Sequence, residues 1–243
     1  MDDTNTTDAG PVTVTVNDGV AVIDLDDGKA NALGFDVLAR LDAALDRAEE
    51  DDVTAVVLAG RDGKFSAGFD LSVMTSGADA AREMLTTGAT LGLRFYMFPK
   101  PVVFAATGHA LAMGAILLCC ADVRIGADGP FKIGLNEVAI GMPVPGFAIG
   151  ICQDRLTVPA FTAAIQLAKI HTPQEAREAG FLDEVVPADE VRDRAIAVAA
   201  ELGSTLHRVP FQVTRRAVRG HIAERLEAEL AEDLKLFDIS AGR

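Results

Sequence analysis

Two segments of this chain have the pattern of strand–turn–helix corners, which expose backbone N–H groups. The first is Gly60-Arg-Asp-Gly-Lys-Phe-Ser-Ala-Gly-Phe-Asp-Leu71, which follows the apolar run Val53 to Ala59 and opens into a short helix. The second is Gly108-His-Ala-Leu-Ala-Met-Gly114, which follows the apolar run Val102 to Ala106 and leads into Ala115 to Cys120. The N–H groups of a helix's first turn lack intrahelical acceptors and sit at the positive end of its dipole. They suit an anion or a developing oxyanion, and two such corners aimed at one point would supply two donors to it. Glu137 adds a candidate acid/base. It lies among apolar residues in Gly134-Leu135-Asn136-Glu137-Val138, and a carboxylate in an apolar pocket has a raised pKa that suits proton transfer to and from carbon.

The elements that must position these residues follow from local pattern. Val12 to Val16 alternates Val and Thr, turns at Asn17-Asp18-Gly19 and continues as Val20 to Leu25, a hairpin pattern. Leu38, Leu41, Leu45 and Ala48 give Phe35 to Glu50 a helical spacing. Strand Val53 to Ala59 leads into the first corner, and a helix over Ala78 to Phe98 stops before Pro99 and Pro101. Strand Val102 to Ala106 leads into the second corner, followed by strands near Val123 to Ala127 and Phe131 to Ile133. From Val144 onward helices dominate, with one extended run over Leu182 to Val186 and an amphipathic helix over Ala223 to Leu236. This order fits an α/β fold of repeated ββα units capped by a helical subdomain. Residues 1–10 read as a disordered tail, 11–190 as the core and 191–243 as a helical region for oligomerisation and active-site cover.

Composition narrows the function classes. A chain of 243 residues with 49% hydrophobic content can bury a full single-domain core. The net charge of −14 and the lack of a basic block argue against nucleic acid as a main ligand. Cys119, Cys120 and Cys152 form no Cys/His cluster with metal-ligand spacing, so neither a disulfide framework nor a metal site is expected. No apolar run reaches the roughly 18 residues of a membrane span, and the polar N-terminus does not read as a signal peptide. A cytoplasmic, reducing setting is expected.

Three ordered motifs carry a family resemblance. FSAGFDL (Phe65 to Leu71) is similar to F-S/C-A-G-x-D-L/I, GHALAMGAILLCCADVRIGAD (Gly108 to Asp128) to a G-x-A-x-G-G-G-x-x-L stretch ending in C-D-x-R-I-A-A-D, and IGLNEVAIGMPVPG (Ile133 to Gly146) to F-G-x-P/N-E-x-x-x-G-x-x-P-G. Together they resemble the crotonase (enoyl-CoA hydratase/isomerase) superfamily from about Val12 to the end of the chain. The resemblance implies the crotonase fold, an acyl-CoA thioester as substrate, no separate cofactor, and a homotrimer or dimer of trimers. It makes the N–H groups of Phe69 and Met113 the oxyanion donors and Glu137 the catalytic carboxylate. It also assigns substrate or CoA contacts to Lys29, Ala30 and Ala32, in a segment similar to K-x-N-A-L, and to Ser66, Ala67, Gly68, Asp70, Leu71 and Gly114. Arg61 and Lys64 are the nearest cations for CoA phosphates. His109 and Asp122 read as structural, and Asp70 as either a helix cap or a ligand contact.

One departure bears on the reaction. Hydratases that use two glutamates carry the first at the position occupied here by Ile116, and the Gly-Gly-Gly run reads Ala112-Met113-Gly114. Val144 and Pro145 stand where other branches place a further carboxylate. Hydration needs a water held between two polar groups. Moving a double bond from the 3- to the 2-position needs one base. A single Glu137 therefore points to 3-enoyl-CoA to 2-enoyl-CoA isomerisation, with 2-trans-enoyl-CoA hydration, or acyl-CoA binding with weak catalysis, as the alternatives.

Overall fold

The computed structural model describes residues 10–233 and Lys235. The tail expected over the first ten residues lies outside this range except for Gly10, as does the expected helix end at Leu236. In chain order the elements are β1 (Val12–Asn17), β2 (Val20–Leu25), β3 (Ala32–Leu33), α1 (Phe35–Glu49), β4 (Ala55–Gly60), β5 (Gly63–Ser66), β6 (Gly68–Phe69), α2 (Leu71–Met74), α3 (Ala78–Tyr96), β7 (Val102–Ala106), β8 (Gly108–Leu111), α4 (Met113–Cys120), β9 (Val123–Ala127), β10 (Ile133–Gly134), a 3₁₀ turn (Val138–Ile140), α5 (Gly146–Arg155), α6 (Val158–Ile165), α7 (Pro173–Ala179), β11 (Glu184–Val186), α8 (Val191–Thr205) and α9 (Arg208–Asp233).

Three sheets organise the fold. The largest runs β1-β2-β4-β7-β9-β11, antiparallel between β1 and β2 and parallel thereafter. The β1–β2 turn has positive φ at Asp18 and Gly19, as a two-residue hairpin turn of the primed type demands. A second, parallel sheet runs β10-β8-β5, and β3 pairs with β6 alone. Each of β4, β7 and β9 thus hands the chain to a short strand of the second sheet before a helix returns it, which is the expected ββα unit. The passage from β7 to β8 depends on Gly108, where a Cβ would overlap the backbone of Gly63.

The first corner is more structured than a turn. β5 and β6 stand between β4 and α2, because Gly63 to Phe69 pairs with β8 and β3, segments remote in sequence. Likewise Gly108 to Leu111 is a strand. The last helix begins fifteen residues before Ala223, at Arg208. Pro210 falls in its first turn, where the missing N–H costs no intrahelical bond.

Period-2 alternation divides the large sheet's side chains between two cores. Val56 and Leu58 face the core shared with α1, α3 and α4. Ala55, Val57 and Ala59 face the other side, where Val191, Ala195 and Ala199 of α8 cover them. Their four-residue spacing puts small side chains on one helical face and lets α8 lie close to the sheet. Helix α9 is tied down by charge: Asp122, at the end of α4, pairs with Arg215 and with Arg219 (3.0 Å) and accepts the Val102 N–H at 2.9 Å. Asp122 is structural, as expected. Among the described residues no helix is long and apolar enough to cross a membrane.

Candidate active site

The first corner is held by a buried asparagine. Asn31 is fully buried with φ of 54°, a left-handed conformation that Asn tolerates better than most residues. Its side-chain amide donates to the carbonyls of Leu25 (2.7 Å), Lys64 (3.1 Å) and Phe65 (3.2 Å). The Ser66 hydroxyl donates to the Asn31 carbonyl at 2.8 Å and accepts from the Gly68 N–H at 3.1 Å. The Ala67 N–H donates to Ala30 O at 3.0 Å. Lys29, Ala30 and Ala32 belong to a loop wrapped on Asp27, whose carboxylate accepts the N–H groups of Lys29, Asn31 and Ala32. Burial pushes the Asp27 pKa up, but those three donors outweigh it and the net shift is downward. The Ala67–Ala30 bond and the pairing of β3 with β6 tie Ala67-Gly68-Phe69 to this loop.

Phe69 follows in β6. The Asp70 N–H turns to β3 and donates to Leu33 O at 3.2 Å. In an extended chain successive N–H groups alternate, so the Phe69 N–H faces away from β3. Asp70 itself caps α2, accepting the Ser72 N–H at 2.8 Å and the Ser72 hydroxyl at 2.7 Å. These bonds hold its carboxyl below the usual aspartate range.

The second corner abuts the first. Ala112 precedes α4 with φ of 50° and ψ of −126°, and its N–H donates to Gly134 O at 3.0 Å. That backbone conformation is sterically costly for any residue with a Cβ. Met113 is the first residue of α4, so its N–H has no intrahelical acceptor. A Cβ on Gly68 would lie 3.1 Å from the Met113 nitrogen, and one on Gly114 would overlap the Ser66 carbonyl. The two glycines let the corners close on each other. Helix α4 is buried along its whole length, so its N-terminal dipole is poorly screened by water.

Beside the corners lies a cleft of about 600 Å³, counting its open mouth. The first corner, α2 and α3 contribute Ala67, Phe69, Leu71, Met74 and Leu85 to its lining, the second corner and α4 contribute Ala112 and Ile116, and the segment after β10 contributes Asn136, Glu137, Ile140, Met142, Pro143 and Pro145. Glu137 is 7% exposed and precedes the 3₁₀ turn, its carbonyl receiving the N–H groups of Ile140 (3.0 Å) and Met142 (2.9 Å). One carboxylate oxygen, Oε2, is buried with no hydrogen-bond partner. Burial raises the Glu137 pKa, offset only in part by the N–H groups of Glu137 and Asn136. Glu137 is the one ionisable group among the lining residues.

Residues 15–241 match the family model described as enoyl-CoA hydratase/isomerase. The chain belongs to the enoyl-CoA hydratase/isomerase family. Its fold is the crotonase fold, shared with the crystal structure of a Pseudomonas syringae enoyl-CoA hydratase/isomerase family protein, which is 42% identical with a TM-score of 0.90 over 93% of this chain and 97% of that one. The apo structure of a Mycobacterium tuberculosis enoyl-CoA isomerase is 42% identical with a TM-score of 0.87, over 92% of this chain and 97% of that one. Mitochondrial enoyl-CoA delta isomerase 1 of Mus musculus is 32% identical over 90% of this chain and 77% of its own length. Relatives named as enoyl-CoA hydratases match as well.

Set in this enoyl-CoA hydratase/isomerase family member, the expected site residues fall into three groups. Ala67, Phe69, Leu71 and Glu137 line the cleft. Ser66, Gly68, Met113 and Gly114 frame it from behind, while Lys29, Ala30 and Ala32 lie on the adjoining loop. Arg61 is engaged by Asp26 (3.1 Å) and by the Lys29 carbonyl (2.7 Å). His109 is structural: its Nδ1 accepts the Lys132 N–H at 3.0 Å and its ring meets Phe131 edge-on. Sequence reasoning assigned no task to Asn31, Asn136 or the 140–145 segment. The Asn in the K-x-N-A-L segment was the available signal for the first.

Proposed function

We propose that this protein is a 3-enoyl-CoA to 2-enoyl-CoA isomerase. The observation that carries this reading is the single ionisable side chain in the cleft, Glu137, with one buried oxygen unbonded and Ile116 where a second carboxylate would hold water. In this reading the thioester oxygen sits between the N–H groups of Phe69 and Met113. Glu137, ionised and poorly solvated, removes the proton from C2, and the electron pair moves toward the carbonyl. The dienolate's oxygen carries the charge, and the two N–H donors stabilise it more than the ground-state carbonyl, by about 3–4 kcal/mol each in comparable sites. Glu137 then returns the proton to C4, the 3,4 double bond becomes a 2,3 double bond, and the carboxylate is regenerated. The balance is internal, so no cofactor beyond the substrate's own coenzyme A enters.

Hydration of 2-trans-enoyl-CoA is the second reading. Asn136 is the only other polar side chain lining the cleft and is the one candidate to share a water with Glu137. Chromatographic separation of the isomers together with mass analysis, after separate incubation with 3-enoyl-CoA and 2-trans-enoyl-CoA, decides between them, and a carrier without catalysis would bind both and convert neither.

The assembly proposed with this function is a trimer or dimer of trimers. Val209 and Val213, one turn apart on the same face of α9, are both about two-thirds exposed, which supports a subunit contact at the start of that helix. Light scattering that shows only monomer at micromolar concentration would contradict it. A reducing cytosol is the proposed setting, on the strength of three free buried cysteines.

A further inference from the structure

The ring of Phe69 has a berth on helix α3. Gly88 faces it, and a Cβ on Gly88 would overlap the Cε1 and Cζ atoms of the Phe69 ring. Leu85, three residues earlier on the same helical face, lines the cleft together with Phe69, Met74 and Leu71. Gly92, one turn further along that face, has no such role: a Cβ there would make ordinary 3.5 Å contacts with Cys120 Sγ and Met113 Cε. Within a helix, glycine carries a cost relative to alanine. At position 92 nothing in the packing demands that cost, whereas at position 88 the ring does.

We propose that the Phe69–Gly88 contact sets the width of the acyl slot. With no side chain at position 88 the ring lies back against α3, and the wall formed by Leu71, Met74 and Leu85 stays open to a long, unbranched acyl chain. The lining of this wall is wholly apolar, which suits a hydrocarbon tail and excludes a polar one. The ring so seated forms one side of the slot, where a branch on the chain meets it. This inference deepens the acyl-CoA reading of the site and rests on it. It does not depend on which reaction follows.

Saturated thioesters test it, because they bind without turnover. Calorimetric titration compares butanoyl-CoA and dodecanoyl-CoA on the unmodified protein, Gly88→Ala, Gly92→Ala and the Phe69→Ala/Gly88→Ala pair. A methyl group at position 88 drives the ring into the slot, so dodecanoyl-CoA binding weakens by about tenfold, as expected for overpacking, while butanoyl-CoA binding is unchanged. Gly92→Ala alters neither, and adding Phe69→Ala to Gly88→Ala restores dodecanoyl-CoA binding. Equal weakening of both thioesters, or no change in a folded Gly88→Ala protein, would overturn the proposal. If Gly88→Ala fails to fold, Phe69→Ala alone decides. It should bind a branched-chain acyl-CoA better relative to its unbranched isomer, and an unchanged ratio refutes the gauge. Loss of isomerisation with these binding patterns intact would count against the proposed reaction only.

Discussion

A Cβ built on Gly68 would lie 2.8 Å from the Cβ of Ala112. These residues belong to different ββα units, one at the end of a loop tied by Asn31 and the other at the entry to α4. Their approach brings the amides of Phe69 and Met113 to one end of the cleft. Ala112 is itself held at φ of 50°.

Ala112→Gly is therefore expected to stabilise the protein. The left-handed backbone at this position costs any residue with a Cβ about 1–3 kcal/mol, and glycine's greater unfolded-state freedom returns roughly 0.4–1 kcal/mol of that. Denaturant unfolding should show a net gain of about 1 kcal/mol with activity retained. A loss of stability would mean that the Ala112 methyl makes packing contacts worth more than the strain.

Glu137→Gln keeps size and hydrogen bonding but removes the base. Turnover should fall by about a hundredfold or more, with little change in acyl-CoA affinity, the pattern of a group that acts only in the transition state. Affinity falling in step with turnover would reassign Glu137 to substrate binding.

The acid limb of the pH profile follows from the same burial. Glu137 must be ionised to accept a proton, and burial raises its pKa above the ordinary glutamate value of 4.5. The rate constant kcat/KM should fall with acid at a midpoint above that value. Stability moves the other way. Between the unfolded and the raised folded pKa the native state holds more protons than the unfolded one, so this group's contribution declines as pH rises through that window. Glu137→Gln should remove that decline, which pH-dependent unfolding of the two proteins measures. An identical pH dependence in both would contradict the buried, charge-averse environment.

Much of the fold was legible because its strongest signals are local. The Val/Thr alternation with Asn17-Asp18-Gly19 specifies β1 and β2, and the apolar runs of β7 and β9 end where the structure ends them. The short strands β5, β6 and β8 carry no such local signal. Two to four glycine-rich residues carry no period, and their partners lie tens of residues away. Glu137 is visible as a carboxylate among apolar neighbours, but only the fold brings Ile116 of α4, and Phe69 and Leu85, to the cleft that it lines. Asn31 was hidden for the same reason. Nothing near it in sequence shows that Lys64 and Phe65 need a donor.

Asp122→Ala tests the anchoring of α9. Arg215 and Arg219 are both buried, and removing their shared carboxylate takes away its counter-charge and leaves them the carbonyls of Phe98 and Tyr96. Breaking a buried pair in this way costs about 3 kcal/mol or more. For a chain of this size that is a fall in Tm of roughly 6–12 °C. A shift within about 1 °C would show that α9 is held by its apolar contacts alone.

The central claim is that one carboxylate, without a partner to hold water, makes this family member an isomerase. The direct measurement is the substrate preference of the unmodified protein, with 3-enoyl-CoA and 2-trans-enoyl-CoA supplied separately, the positional isomers separated by chromatography and hydrated products identified by mass. The account predicts conversion of the 3-enoyl to the 2-enoyl thioester at unchanged mass, faster than any addition of water. Brisk hydration of 2-trans-enoyl-CoA with the 3-enoyl thioester left untouched would contradict it.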